Sequence, residues 1–303
     1  MSPSEVITTV EAMREACDDA RRRGATVGVV PTMGYLHEGH RSLMRAARAA
    51  CDYVVVTIFV NPLQFGPNED LDRYPRDLDG DLAACAEEGI DAAFVPTVAQ
   101  LYPDYPPRTT VHVAGLTEVL CGASRPTHFD GVTTIVAKLL SIAGPCRAYF
   151  GRKDAQQLAV IRRMAADLDL PATIVGCPLV REPDGLARSS RNAYLDARHR
   201  AAAPRIFAAL RDGVAAVESG ERGARRIETL ARDTIDAVPE LEIDYAEVRA
   251  ADSLDAIDQI AGPVLLAVAV FCGASRLIDN VPITVTEGNV TADLGTGWNG
   301  PAA

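Results

Sequence analysis

Two histidines lie at the end of the stretch of this chain whose residue types best suit chemistry. The stretch begins at Pro31, reads PTMGYLHEGH and directly follows the apolar run 26–30. His37 and His40 are three residues apart and share one helix face, and Gly39 allows a ligand to approach the backbone. A helix N-terminus offers free N–H groups and a partial positive charge, which suit phosphate. We therefore predict that the two imidazoles donate hydrogen bonds to an α-phosphate. The alternatives are structural histidines or a zinc pair, which would need a third ligand at a fixed spacing.

A second segment, FGRKDAQQ, follows another predicted strand and leads into a helix. Lys153 carries a point charge suited to phosphate, and Asp154 could accept hydrogen bonds from ribose hydroxyls. Gln157 lies four residues after Lys153 and so faces the same side of the helix. A lysine on a solvated helix is the alternative interpretation.

Two shorter segments add polar groups that bind small anions. DGLARSSRN places Ser189, Ser190 and Arg191 near a predicted domain junction, where they could clamp β- and γ-phosphates; a polar linker is the alternative. NPLQFG follows the run 53–60, and the Gln64 amide could hold a small hydroxy acid; an ordinary turn is the alternative.

Two common nucleotide motifs are missing from the sequence. No GxGxxG follows the run 26–30, and GxxxxGK[ST] does not occur. An α/β pattern that carries HxGH instead indicates the nucleotidyl-transfer superfamily, whose reactions attack the α-phosphate of ATP.

Composition excludes several other classes of protein. The chain has 303 residues and a net charge of −11, which argues against nucleic-acid or anionic-membrane partners. The N-terminus lacks a basic, then apolar, leader, and the longest apolar run, 264–272, is far below the ~20 residues that span a bilayer. Seven scattered cysteines without a CxxC pair favour free thiols. We expect a cytoplasmic protein.

Hydrophobic patterning predicts the fold class. Continuous apolar runs at 26–30, 53–60, 92–95, 148–150 and 172–176 alternate with helical stripes. Such runs are typical of parallel strands covered on both faces, so we predict an α/β, Rossmann-like doubly wound sheet over residues 1–179. Two long helices (197–219, with a kink or restart at Pro204, and 224–238) and later strands predict a smaller α+β C-terminal lid domain over 180–285. The polar segment 286–303 is predicted to be disordered.

Taken together, these segments resemble the pantothenate synthetase family along nearly the whole chain. The matching stretches, in order, are PTMGYLHEGH, IFVNPLQFG, RYPRDLDGD, SRPTHFDGVTTIVAKLL, YFGRKDAQQL, DGLARSSRN and RLIDN. The resemblance implies ATP-dependent condensation of pantoate with β-alanine through a pantoyl-adenylate, with Mg²⁺ required. It also implies a homodimer with a mobile C-terminal domain.

The resemblance also implies roles for individual residues. His37 would be the proton donor, and Asp81 would be associated with the metal. The catalytic group would be His37, His40, Lys153, Ser189, Ser190 and Arg191. The ATP-binding residues would be Pro31, Thr32, Met33, Gly34, His37, His40, Gly151, Lys153, Asp154, Val180, Ser189, Ser190 and Arg191. The pantoate-binding residues would be Met33, Phe59, Asn61, Gln64, Val132, Ile135, Val136 and Gln157.

Four positions depart from the family pattern. Arg152 and Arg188 each add a cation near a predicted polyanion site, Cys121 replaces a glutamate, and Tyr35 replaces a smaller residue beside the histidines. None removes a predicted catalytic group, so we expect activity. A paralogous adenylate-forming amide ligase that uses another acid or amine is the alternative. A nucleotide-binding regulatory protein and a nucleotidylyltransferase are further alternatives.

Overall fold

The computed structural model describes residues 4–67, 69–287 and 289–297. Within these residues the chain divides into two compact units. The first comprises 4–118, 125–152 and 157–177, and the second comprises 119–124, 153–156 and 178–297. The domain boundaries 1–179 and 180–285 stay predictions.

The first unit alternates strands and helices. Its strands are β1 (Glu5–Ile7), β2 (Val27–Thr32), β3 (Tyr53–Ile58), β4 (Ala92–Phe94), β5 (Cys146–Gly151) and β6 (Ala172–Cys177). Its helices are α1 (Val10–Arg22), α2 (Glu38–Ala50), α3 (Leu78–Glu87), α4 (Val98–Leu101), α6 (His128–Ala143) and α7 (Ala155–Asp167), with α5 (Cys121–Ser124) in the second unit. Pro62–Gln64 and Arg152–Asp154 are 3₁₀ turns.

The described strands of this unit form one parallel sheet in the order β1-β4-β3-β2-β5-β6. From β2 the chain proceeds outward through β3, and from β5 it proceeds the opposite way to β6, so the switch point lies between β2 and β5. Among the described residues, β2 pairs with β3 along all six positions but with β5 only at Gly28 and Val29. The carboxyl ends of β2 and β5 are therefore free to diverge, which opens the crevice where doubly wound sheets bind ligands.

The apolar runs explain why this sheet is buried. Val54, Val55 and Val56 in β3 have no exposed surface, because helices cover both faces. Helix α6 is apolar nearly all round, and most of its residues are buried, which is expected of a helix packed inside the unit. The Rossmann-like prediction is confirmed, although β1 was not predicted and β2 is therefore the second strand of the chain.

The second unit contains an antiparallel sheet and helices. Its strands are β7 (Leu241–Ala250), β8 (Pro263–Cys272), β9 (Ser275–Thr286) and β10 (Asn289–Ala292), and the described part forms a sheet in the order β10-β9-β8-β7. Its longer helices are α8 (Ala197–Ala202), α9 (Arg205–Glu218) and α10 (Ala224–Asp236), and Ser190–Tyr194 is a 3₁₀ turn. The apolar faces of α9 and α10 bury against this sheet, giving the predicted α+β unit.

The end of the chain differs from the sequence prediction. Part of the segment predicted to be disordered forms β10, whose alternating side chains pack Val290 and Ala292 against the core. Thr296 lies beside Val180 in a parallel bridge. Its N–H donates to the Leu179 carbonyl at 2.8 Å, and its carbonyl accepts the Arg181 N–H at 2.7 Å. The prediction failed here because short apolar positions in a polar segment gain partners only in the tertiary structure. Residues 298–303 lie outside the described residues.

Candidate active site

The two histidines cap the helix that follows β2. His37 is the N-cap of α2, and its Nδ1 accepts the Gly39 N–H at 3.1 Å. His40 Nδ1 accepts the His37 N–H at 3.3 Å, and the two ring centroids are 4.1 Å apart. A neutral imidazole whose Nδ1 accepts must carry its proton on Nε2. Both rings are therefore set as Nε2–H donors at a helix N-terminus, the arrangement that suits a phosphate oxygen.

The loop before the helix is fixed by a buried carboxylate. Asp81 is 3% exposed, and its oxygens accept the N–H groups of Tyr35 at 2.9 Å and Leu36 at 2.7 Å. Burial raises the pKa of Asp81, and these two hydrogen bonds act in the opposite direction. A Cβ at Gly34 would lie 2.8 Å from Asp81, and φ there is +83°, so this position requires glycine. Both Asp81 oxygens thus serve the loop, which supports a positioning role; its association with a metal stays a prediction.

Gln64 lies beside the loop 33–36 although it follows a different strand. Its Nε2 contacts Met33 Sδ at 2.9 Å, and its Oε1 accepts from Asn61 Nδ2 at 3.2 Å. Asn61 is 1% exposed and is itself held by Tyr102 OH at 2.9 Å and by the Gly131 carbonyl at 3.0 Å. The structure therefore brings the predicted pantoate glutamine next to the predicted ATP loop within one unit.

Helix α6 forms an apolar wall near this glutamine. Val132, Ile135 and Val136 are spaced as one helix face, and each is at most 5% exposed, while Phe59 is 7% exposed. Gly131 on the same helix packs directly on the 62–64 turn, where an added Cβ would lie 2.3 Å from the Leu63 carbonyl oxygen. The wall and the turn together suit a small acid with an apolar body and polar ends.

Sequence reasoning missed the residues that hold Gln64 from behind. His128 Nδ1 contacts the Gln64 carbonyl oxygen at 2.8 Å, and Arg125 Nη2 donates to it at 3.3 Å. Glu69 anchors Arg125 by accepting a 2.7 Å hydrogen bond from Nε. Burial acts to raise the pKa of Glu69, but the Arg125 guanidinium together with the Gly66 backbone and His128 lowers this pKa. The polar residues of the stretch SRPTHFDG, beside a predicted apolar helix, were the available signal.

The predicted phosphate lysine belongs to the second unit. Lys153 has a side chain 19% exposed, with Nζ 3.6 Å from Asp154 Oδ1. Its carbonyl oxygen accepts a 2.7 Å hydrogen bond from the side-chain amide of Asn280, which is 4% exposed. Gln157 is the first residue of α7 that belongs to the first unit, and its side chain is half-buried.

The serine-arginine segment forms a hairpin and a 3₁₀ turn in the second unit. Arg181 pairs with Ala187, and the Arg188 N–H donates to the Val180 carbonyl at 2.9 Å. Ser189 caps the following turn by accepting the Arg191 N–H at 3.3 Å. Within the described residues, Arg188 Nε is buried and has no hydrogen-bond partner. A buried N–H without a partner in the described chain is unusual in a folded protein.

Metal ions in proteins are held by sets of ligating side chains. Among residues 4–67, 69–287 and 289–297, no group of three or more His, Cys, Asp or Glu side chains could hold a metal ion. In the same residues, no helix is both long and apolar enough to cross a bilayer.

The fold and the histidine-capped helix define an α/β protein of the HxGH nucleotidyl-transfer class. A family model described as pantoate-beta-alanine ligase matches residues 5–282. The chain belongs to the pantoate-beta-alanine ligase family.

Individual proteins support the same assignment. The chain is 53% identical to a pantothenate synthetase of Moorella thermoacetica, over 93% of this chain and all of that protein. It is 50% identical to one of Bacillus cereus, over 93% and 99%. Among solved structures, a pantothenate synthetase of Thermus thermophilus superposes with a TM-score of 0.86 at 43% identity, covering 91% of this chain and 98% of that one. A pantoate-beta-alanine ligase of Francisella tularensis, complexed with beta-gamma ATP and beta-alanine, gives 0.75 at 31% identity, covering 91% and 97%.

Proposed function

We propose that this protein condenses pantoate with β-alanine to form pantothenate, converting ATP to AMP and pyrophosphate. The observation that carries the proposal is the contact between Gln64 and Met33. It joins the hydroxy-acid glutamine to the loop that leads into the histidine-capped helix. An acid held there would lie beside an ATP bound at the switch point of the sheet. Family membership supports the same reaction.

In the first step, a pantoate carboxylate oxygen attacks the α-phosphorus of ATP. The oxygen–phosphorus bond of the pantoyl-adenylate forms as the bond to the β-phosphate oxygen breaks, releasing pyrophosphate. His37 and His40 donate Nε2–H bonds to α-phosphate oxygens, which gain charge in the transition state. Lys153, Ser189 and Ser190 act on the other phosphates. Mg²⁺ bound with the triphosphate supplies charge neutralisation of the leaving pyrophosphate.

In the second step, the neutral amine of β-alanine attacks the carbonyl carbon of the adenylate. The amide bond forms, AMP leaves with both electrons of the carbon–oxygen bond, and the amine proton passes to solvent or a phosphate oxygen. No enzyme nucleophile is required, because the mixed anhydride is already activated. Catalysis is then mainly positioning by residues such as Gln64 and Gln157, together with charge stabilisation.

Several wider properties complete the proposal. Mg²⁺ would arrive mainly on substrate phosphates, which is how this ion is usually held. Asp81 stays the carboxylate that we predict to be associated with the metal. A homodimer is consistent with β6, an edge strand of the described sheet, and with Leu168, which is 49% exposed shortly before that strand. We propose a cytoplasmic location because the composition and free cysteines fit a reducing compartment.

A coupled assay tests the proposal. The full chain is incubated with ATP, Mg²⁺, pantoate and β-alanine, and products are identified by mass. We expect equal amounts of AMP and pantothenate, and pyrophosphate exchange into ATP when β-alanine is left out. His40→Ala should lower kcat about 10²-fold or more, because it removes a donor to the developing charge. His112→Ala, at a histidine whose side chain is 54% exposed, is the matched control.

Other outcomes identify the alternatives. Pyrophosphate release that depends on an acid other than pantoate would indicate a paralogous ligase. ATP binding without AMP formation would indicate a regulatory protein. An AMP group retained in the final product would indicate a nucleotidylyltransferase.

A further inference from the structure

A buried polar chain crosses β9 in the second unit and ends at the proposed phosphate lysine. Arg181, whose side chain has no exposed surface, pairs with Asp279 through contacts of 2.6 and 3.0 Å. Asp279 Oδ1 accepts the backbone N–H of Asn280 at 2.7 Å. Asn280 Nδ2 then donates to the Lys153 carbonyl at 2.7 Å. The chain is hydrogen-bonded at each step.

Side chains alternate between the two faces of a β-strand, which explains how the neighbours Asp279 and Asn280 reach different segments of the chain. Leu277, Val281 and Ile283 face the helices of this unit, so Asp279, at the same parity, faces them too. Asn280 faces the opposite side, where it meets the 153–156 segment. The two neighbouring side chains therefore act on opposite faces of one sheet.

The ion pair also fixes the hairpin 180–188, which directly precedes Ser189. Arg181 Nη1 donates to the Gly185 carbonyl at 3.0 Å, and Nε donates to the Leu294 carbonyl at 2.6 Å. The guanidinium carbon lies 3.7 Å from the centroid of the Phe207 ring. A fully buried cation with this many partners holds its backbone neighbours rigidly, because leaving any of these groups unpaired would be costly.

We propose that Asn280 is a positioning residue for Lys153, and that the Asp279–Arg181 pair fixes Asn280 in register with the hairpin 180–188 that leads into Ser189. The inference rests on the proposed function, in which Lys153 and Ser189 bind phosphates. The 3₁₀ turn Arg152–Asp154 is short, so its carbonyl contact with Asn280 sets the direction in which the lysine side chain leaves the backbone. Both phosphate-binding segments of the second unit are then held by one strand.

A double-mutant cycle on the full chain tests this role. The affinity for α,β-methylene-ATP with Mg²⁺ is measured by calorimetry in the wild type, Asn280→Ala, Lys153→Ala and the double variant. We expect Asn280→Ala to weaken binding about tenfold in the wild-type background and less than twofold in the Lys153→Ala background. Thr284→Ala, on the same face of β9, is the matched control and should bind as the wild type does.

If Asn280 only stabilises the fold, the binding affinities in the cycle follow a different pattern. Equal loss in both backgrounds, or no loss in either, would overturn the proposal. Asn280→Ser keeps a polar group that is too short to reach the carbonyl, and it should repeat the result if Asn280→Ala proves unstable. A wild type that binds the analogue but makes no pantothenate would refute the proposed function and leave the cycle decisive. A wild type that does not bind the analogue would overturn both proposals.

Discussion

Adding one methyl group to Gly131 should displace the proposed pantoate site. A Cβ there would lie 2.3 Å from the Leu63 carbonyl oxygen and 2.5 Å from the Gln64 nitrogen, both backbone atoms. Restoring even a tight 3.0 Å contact requires α6 or the 62–64 turn to move by about 0.7 Å. That movement is enough to lose the 2.9 Å contact between Gln64 and Met33.

For Gly131→Ala, we expect kcat/KM for pantoate, at saturating ATP and β-alanine, to fall about 10- to 100-fold. The overpacking should lower the free energy of unfolding by about 1–3 kcal/mol, measured by urea denaturation. Gly66→Ala is the matched control, because a Cβ at Gly66 in the same loop would meet its nearest atoms at 3.7 Å.

Wild-type kinetics in Gly131→Ala would refute the link between the turn and the acid site. An equal loss in Gly66→Ala would show that the loop is sensitive to any change and would refute the argument from close packing. Unfolding does not explain a loss of activity if the urea denaturation curve shows that the variant is fully folded in the assay buffer.

Three further predictions concern the chain end, the hairpin 180–188 and a buried thiol. A chain truncated after Ala292 loses the segment bonded to Arg181, so its melting temperature and ATP affinity should fall, whereas a control truncated after Gly297 keeps these contacts and should match the full chain. Arg188→Met should weaken binding of pyrophosphate in calorimetry about 3- to 10-fold, because it removes a buried donor that has no partner in the described chain; unchanged binding would contradict that role. Burial raises the pKa of Cys85 to about 12, so the unfolded chain releases this proton first as pH rises. Stability should therefore decline between about pH 9 and 12, and the decline should be shallower in Cys85→Ala; equal slopes would show that this thiol does not contribute.

The departures from the family pattern have different structural settings. Tyr35 is 36% exposed with φ of +52°, a conformation unfavourable for a bulky side chain. Cys121 is buried, with Sγ 3.2 Å from Tyr245 OH and 3.4 Å from Arg276 Nη1. A thiol thus lies beside a guanidinium at this position.

Most of the fold could be predicted from local pattern alone. The apolar runs of β2, β3 and β5 are continuous because both faces of the sheet are covered. The apolar residues of α2, α6 and α7 instead recur with the helical period of 3.6, which distinguishes these segments from the strands. Pro204 ends one helix and precedes the next, because a proline cannot donate within a helix. The strand β1 escaped prediction because three residues are too short for a periodic signal.

The sequence by itself determined which groups are available for chemistry. The spacing of His37 and His40 places both rings at one helix end, because the side chains of an N-cap residue and of the third helical residue meet in a capping box. The sequence likewise determined the alternating order of strand and helix that carries them.

Only the tertiary structure decided which distant segments meet. Gln64 reaches Met33 because adjacent parallel strands end at the same edge of the sheet. Asn280 reaches Lys153 across 127 positions of the chain, a contact that no local pattern encodes. The tertiary structure also decided the role of Asp81. This residue holds the 33–36 loop because the fold removes its carboxylate from water and presents two backbone N–H groups to its oxygens.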